Sequence, residues 1–128
     1  MNLSTQIFAF LAALLHVMIF LLESIWFMRP SVYKRFGATT RKDAEAKRLF
    51  AFNQGFYNLF LAVGIFVGLA VLQSGGNRVV AQTLVLFCCF SMFCAGLVLL
   101  FSGGRRMVRA AVMQALFPLL AWSTWFLI

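Results

Sequence analysis

Two short stretches hold most of the side chains that could do chemistry in apolar surroundings. The first carries His16 and Glu23, seven residues apart. The second is Phe52-Asn53-Gln54-Gly55-Phe56-Tyr57-Asn58, with two amides of one kind, one of another and a phenol in six residues. Gln114 and Arg109 stand near the start of the last apolar run. A carboxyl and an imidazole are the usual acid and base groups, so Glu23 and His16 are the candidate catalytic residues, Glu23 as the acid or base and His16 at the apolar end of the site. Asn53, Gln54, Tyr57, Asn58, Gln114 and Arg109 are candidate ligand-binding groups, able to orient polar atoms or hold an anion. The chain has only three acidic residues, and Glu23 is the one inside an apolar run. Polar groups in a membrane-length apolar run are costly, and they mark functional sites by default.

Other chemistries lack their residues. One histidine supplies neither a protein-only zinc site nor a pair of haem ligands, so no metal site is expected and no cofactor is indicated. Cys88, Cys89 and Cys94 fall in one apolar run, and an odd count there does not build a disulfide framework. They read as small packing residues.

The elements that must position these groups follow from composition. Of 128 residues, 63% are apolar and 11% charged, with mean hydropathy +0.95. Soluble domains are nearer half apolar and a quarter charged, and a chain this short cannot hide the excess inside itself. Lipid is therefore the expected solvent. The expected fold is all-α: a polytopic membrane protein forming a single four-helix transmembrane bundle over residues 1–128. The spans are expected at about 7–28, 49–72, 79–101 and 107–128. Arg29-Pro30 stops the first, because proline lacks the amide donor and disfavours helix in the residue before it. Glycine-rich turns at 73–78 and 102–106 separate the others. The N-terminus has no basic residue, so the first run reads as a retained helix and not a signal peptide.

The connection 29–48 carries seven basic and two acidic residues. Within it, Ser31–Phe36 is expected to form a short interfacial helix closed by Gly37. Thr40 and Asp43 have the spacing of a capping box, which would start the second long helix in water at Arg41. The net charge of +8 sits in this connection and around 102–109, and the turn at 73–78 has Arg78 alone. That bias places 29–48 and 102–106 in the cytoplasm and both termini outside, here in a bacterial cytoplasmic (inner) membrane. Anionic lipid is the expected counterpart of the charge, and nucleic acid is not.

Counting from the cytoplasmic ends at ~1.5 Å per residue, Glu23, Asn53, Gln54, Tyr57, Asn58 and Gln114 lie about 6–14 Å deep, and His16 about 18 Å. Helical phase puts Ala9, Ala12 and Ala13 on the face of His16 and Glu23, and Gly64 and Gly68 on the arc of the second stretch. Ala110, Ala111, Pro118 and Ala121 line up with Gln114. Each is a packing face with a polar inner end.

His16, the Glu23-Ser-Ile-Trp26 turn, the Val32-Tyr-Lys-Arg-Phe-Gly37 connection and Asn53-Gln54-Gly55-Phe56-Tyr57-Asn58 together resemble the domain of unknown function 1304 family. These are small multi-pass membrane proteins without an established activity. The resemblance covers the first two long helices and the basic connection. It implies the architecture and the choice of polar residues. In layout the chain is also similar to the MAPEG membrane enzymes, through a basic first connection and Arg48 and Asn53 on the second helix. The glutamate that follows the asparagine in that group is absent, with Phe56 and Tyr57 nearby. The small multidrug exporters share only four short helices and a membrane glutamate in the first.

Three functions fit these residues. One is a polar site in the cytoplasmic half of the bundle that binds or acts on an amphipathic small molecule or lipid. Another is a proton-coupled transporter using Glu23, which would need a homo-oligomer, a dimer or trimer, to enclose a path. The third is a structural or regulatory subunit whose polar groups only set helix register.

Overall fold

In the computed structural model, which describes Met1–Ile128, helix begins almost at once. Asn2 caps α1 (Leu3–Phe20), its side-chain oxygen accepting from the Thr5 amide at 2.8 Å. This cap starts the first span four residues earlier than the apolar pattern predicts. The far end also differs. At Leu21–Ile25 the helix widens into a π turn, closed by the Trp26 amide on the Leu21 carbonyl at 2.8 Å. The span therefore ends at Ile25 and not Met28, and Glu23 lies two residues from its end. A chain break of this kind has no apolar-periodicity signal. It follows from the partner helix described below.

Pro30 opens the short helix α2 (Pro30–Tyr33) from its first position, where a missing amide costs nothing. Gly37 turns the chain with φ +81, a conformation that glycine adopts freely. Phe27, Tyr33, Ala38 and Ala44 bury one another in a small core of their own. The connection thus folds back onto the start of the next helix.

That helix, α3 (Arg41–Gln73), has 33 residues, roughly 50 Å of helix against a hydrocarbon core of about 30 Å. Its charged first turns are capped as expected, with the Asp43 amide donating to Thr40 Oγ1 at 3.1 Å. Asp43 accepts from the Thr39 amide and from Lys47 Nζ at 2.9 Å. The Lys47 hydrogen bond, with Thr39 assisting, holds the Asp43 carboxyl below the usual aspartate range. Its folded pKa is depressed, so its contribution is present above the unfolded value and disappears as pH falls through the folded one. Thr40→Ala should cost about 1 kcal/mol of local helix stability. Amide exchange at 41–44 should rise, while exchange deep in α3 stays unchanged. Acidification below the aspartate range should loosen the same turn.

The remaining helices are α4 (Arg78–Gly103), capped by Asn77, and α5 (Val108–Leu127), preceded by a 3-10 turn at Arg105–Met107. Helix α1 packs on α3 and α5, and α4 packs on the same two, so α1 and α4 face each other across the ring. Small residues make this closeness possible. Ala9, Ala12, Ala13, Ala62 and Ala121 have no exposed surface. A Cβ at Gly68 would come within 2.8 Å of Val85 and 2.9 Å of the Ala81 carbonyl, and one at Gly64 within 2.5 Å of the Cys88 sulfur. The glycine pair therefore joins α3 to α4 within one chain, and any association of copies uses another face. The cysteines are free, with Cys88 and Cys89 buried in this seam.

Hydrogen bonds mark the two ends of the bundle. Asn2 Nδ2 donates to the Thr124 carbonyl at 2.8 Å, and Gln73 Nε2 donates to Gln6 Oε1 at 2.8 Å. The termini and the 74–77 turn thus share one end. The connection after α1 and the turn before α5 line a common hollow at the other. Every Lys and Arg except Arg78 belongs to the second end, here termed the basic end. All four long helices are long and apolar enough to cross a membrane. Large apolar side chains such as Phe60, Phe87, Val98 and Phe101 stand outward between the ends, a surface suited to lipid. The chain has the build of a multi-pass membrane protein.

Candidate functional site

Glycine at position 55 decides where the first two long helices touch. A Cβ there would collide with Ser24 Oγ and lie 3.1 Å from the Glu23 Cβ. Ser24 Oγ donates to the Phe52 carbonyl at 2.8 Å, which ties the π turn of α1 to α3. The widened turn presents Glu23 to the bundle interior, where it is 8% exposed. Such bulges recur at functional sites.

Asn58 meets the carboxylate from α3. Its Nδ2 donates to Glu23 Oε2 at a long 3.4 Å and to the Gln54 carbonyl at 3.1 Å. No Lys or Arg lies within ion-pair distance of Glu23, since both ion pairs of the chain are on the first turns of α3. Arg29 stacks on Trp26 instead, at 5.1 Å from the ring centre. The carboxylate thus faces a cavity of about 560 Å³ between the four long helices at the basic end. Gln54, Asn58 and Gln114 share its wall with Glu23, and Leu22, Val98, Leu99 and Met113 supply much of its apolar part. Val98 and Met113 keep much of their surface exposed, so the cavity is open and not sealed inside the bundle.

The polar groups expected together divide into two sets. Glu23, Gln54, Asn58 and Gln114 line the cavity. Asn53, Tyr57 and Arg109 are exposed and outside its wall. Helical phase spreads four polar side chains over a wide arc of α3, and only its inner edge faces α1. His16 is separate again. It is fully buried, its Nδ1 lies 2.8 Å from the Ala12 carbonyl, and its Nε2 has no partner. The carbonyl fixes the proton on Nδ1. The ring, expected at the apolar end of the site, does not line the cavity and stands apart from Glu23. No three His, Cys, Asp or Glu side chains come together as a metal site would require.

Arg35 was not among the expected site residues, yet it lines the cavity with Glu23. Its charge was legible only as part of the basic connection. The fold-back of residues 29–40 brings it to the cavity mouth.

Residues 10–126 match the family described as "Protein of unknown function (DUF1304)". The chain belongs to this family. The DUF1304 match extends through α4 and α5 as well, beyond the part whose motifs carry the resemblance. No curated protein and no solved structure gives a significant match.

Proposed function

We propose that this DUF1304 protein binds an amphipathic small molecule or lipid in the cavity at the basic end. The observation that carries this reading is one hollow of about 560 Å³ with apolar walls and a carboxylate–amide pair inside. Ligand sites typically have volumes of ~300–1,000 Å³, mostly apolar linings and a few fixed polar groups. Glu23 and Asn58 would meet a hydroxyl or amine of the ligand, with Gln54 and Gln114 as further partners. Leu22, Val98, Leu99 and Met113 would pack its apolar part. In any reaction here, Glu23 is the group placed to take or give a proton. A register-only role needs no such hollow, which favours binding over the purely structural alternative.

We read the basic end as cytoplasmic, with both termini outside, because positive charge is retained on that side. The bacterial cytoplasmic membrane is the corresponding location.

The test is to extract the full chain in mild detergent and weigh it intact by native mass spectrometry. A retained amphiphile is expected, displaced by Ala110→Trp, which fills the cavity from α5. Ala110 is partly exposed, so the bundle should tolerate the change. At least a tenfold loss of bound ligand is expected. Equal retention by the folded variant would place the ligand elsewhere and end this reading.

A further inference from the structure

A second hollow, of about 430 Å³, lies beside the first at the basic end. Lys34, Arg35 and Thr39 line it from the connection after α1, and Arg106 and Met107 from the turn before α5. Arg35 and Met107 also line the larger cavity. The two hollows are therefore adjacent, one basic and one apolar, with the side chains of Arg35 and Met107 between them.

The cations around the basic hollow lack internal counter-charges. Of the three carboxylates, Asp43 pairs with Lys47 and Glu45 with Arg41. Glu23 faces the apolar cavity and has no ion pair. Lys34, Arg35 and Arg106 are exposed and unpaired. Three such cations around one concavity are suited to an oxyanion with several acceptor oxygens, and arginine is suited to phosphate in particular. The hollow adjoins the start of the apolar spans, which is the level of lipid phosphates in a bilayer.

We infer that the two hollows form one site for a phosphate-bearing amphiphile. The phosphate is held by Lys34, Arg35 and Arg106, and the chain passes Arg35 and Met107 into the cavity beside Glu23. This inference rests on the cavity binding an amphiphile, and it adds the chemical class of the headgroup. From Met107 to Gln114 the cavity wall runs seven residues, about 10 Å along α5, so it takes the upper part of an acyl chain. A phosphate alone would fill only the outer hollow, and a neutral lipid only the inner one.

The experiment titrates the full chain in mild detergent by native mass spectrometry. The probes are dioleoyl phosphatidic acid, dioleoylglycerol, dioleoyl phosphatidylcholine, glycerol 3-phosphate and inorganic phosphate. Phosphatidic acid is expected to bind at least tenfold tighter than dioleoylglycerol, glycerol 3-phosphate and inorganic phosphate, with phosphatidylcholine, whose choline cation opposes the three basic side chains, in between. In K34Q/R35Q/R106Q that preference over dioleoylglycerol should vanish, while dioleoylglycerol itself binds as before. The charge-matched R29Q/K42Q/R48Q variant should keep the preference, which separates a site from the general field of the basic end. Circular dichroism checks that both variants, altered only at exposed positions, are folded.

Equal binding of phosphatidic acid and dioleoylglycerol, blocked by Ala110→Trp, would overturn the phosphate inference and leave the cavity reading intact. Equal loss of preference in both triple variants would overturn it too, by showing only diffuse charge. Inorganic phosphate or glycerol 3-phosphate binding as tightly as phosphatidic acid, unaffected by Ala110→Trp, would show a free-phosphate site and overturn the joined one. If no chain-bearing probe binds at all, the cavity reading itself fails, and the inference fails with it.

Discussion

Gly68→Leu should destabilise the bundle by about 3 kcal/mol, the upper part of the usual range for overpacking. A leucine gains roughly 1 kcal/mol of helix propensity over glycine, so an exposed position would show stabilisation. At position 68 the first added atom already lies 2.9 Å from the Ala81 carbonyl and 3.1 Å from the Leu84 Cβ. A backbone carbonyl cannot rotate aside, so α3 and α4 must part. In lipid there is no hydrophobic gain to hold them, because association rests on close packing and hydrogen bonds. Separation also opens the seam that buries Val85, Cys88 and Ile65. Unfolding of purified protein by SDS titration measures the loss. Val67→Leu, on the neighbouring outward position, is the comparison and should change little. Gly64→Ala offers a finer check. Its obstacle is the Cys88 sulfur at 2.5 Å, so Cys88→Ala should recover most of the loss. An unchanged midpoint for Gly68→Leu would mean that the seam does not hold the fold.

Removal of the Glu23–Asn58 pair should separate stability from ligand binding. Asn58→Leu takes away the one side-chain donor that reaches the carboxylate. Leaving a buried acceptor unmatched costs about 1–3 kcal/mol, although interhelical hydrogen bonds in membranes average nearer 0.6 kcal/mol. The contact is long at 3.4 Å and the carboxylate faces a cavity, so a loss of about 1 kcal/mol is expected. Replacing both partners, as Glu23→Leu with Asn58→Leu, should restore most of that stability, since no polar group is then stranded. Amphiphile binding should nevertheless fall at least tenfold in the double variant. That is about 1.4 kcal/mol of binding free energy. Denaturation and native mass spectrometry on the four proteins of the cycle provide both readouts. If the double variant is stable and binds as the parent does, the pair serves only helix register. Glu23→Gln, which keeps an acceptor for Asn58, tests the carboxylate's charge alone, and any proton-coupled response should disappear with it.

Much of this architecture was legible in the residues. Four apolar runs read as four membrane-length helices, because 128 residues cannot bury that much apolar surface, and four such helices form. The capping role of Thr40, the Gly37 turn and the burial of Cys88 and Cys89 each depend on chemistry within a few residues or on composition. Glu23, Gln54, Asn58 and Gln114, expected at one level by counting along their helices, line one cavity. Position along a helix axis is a matter of counting, and counting needs no partner.

Direction around the axis depends on the neighbour, and only the tertiary structure decided it. Asn53 and Tyr57 share a stretch with Asn58, yet they are exposed, because α1 meets this part of α3 along the edge that carries Gly55 and Asn58. The π turn that turns Glu23 inward is stabilised by Ser24 on the Phe52 carbonyl, a contact 28 residues away in the chain. His16 and Glu23 fall on one face of a regular helix, but the turn widens between His16 and the end of the span, and the cavity takes only the carboxylate. Arg35 carried no local sign of its place, because the fold-back of the connection brings it to the cavity. The sequence by itself therefore determined the all-helical class, the four membrane-length apolar helices and the order of polar groups along them, all consequences of local composition and helix rise. The packing of four helices decided which of those groups share a cavity, because each side chain's surroundings are set by contacts distant in the chain.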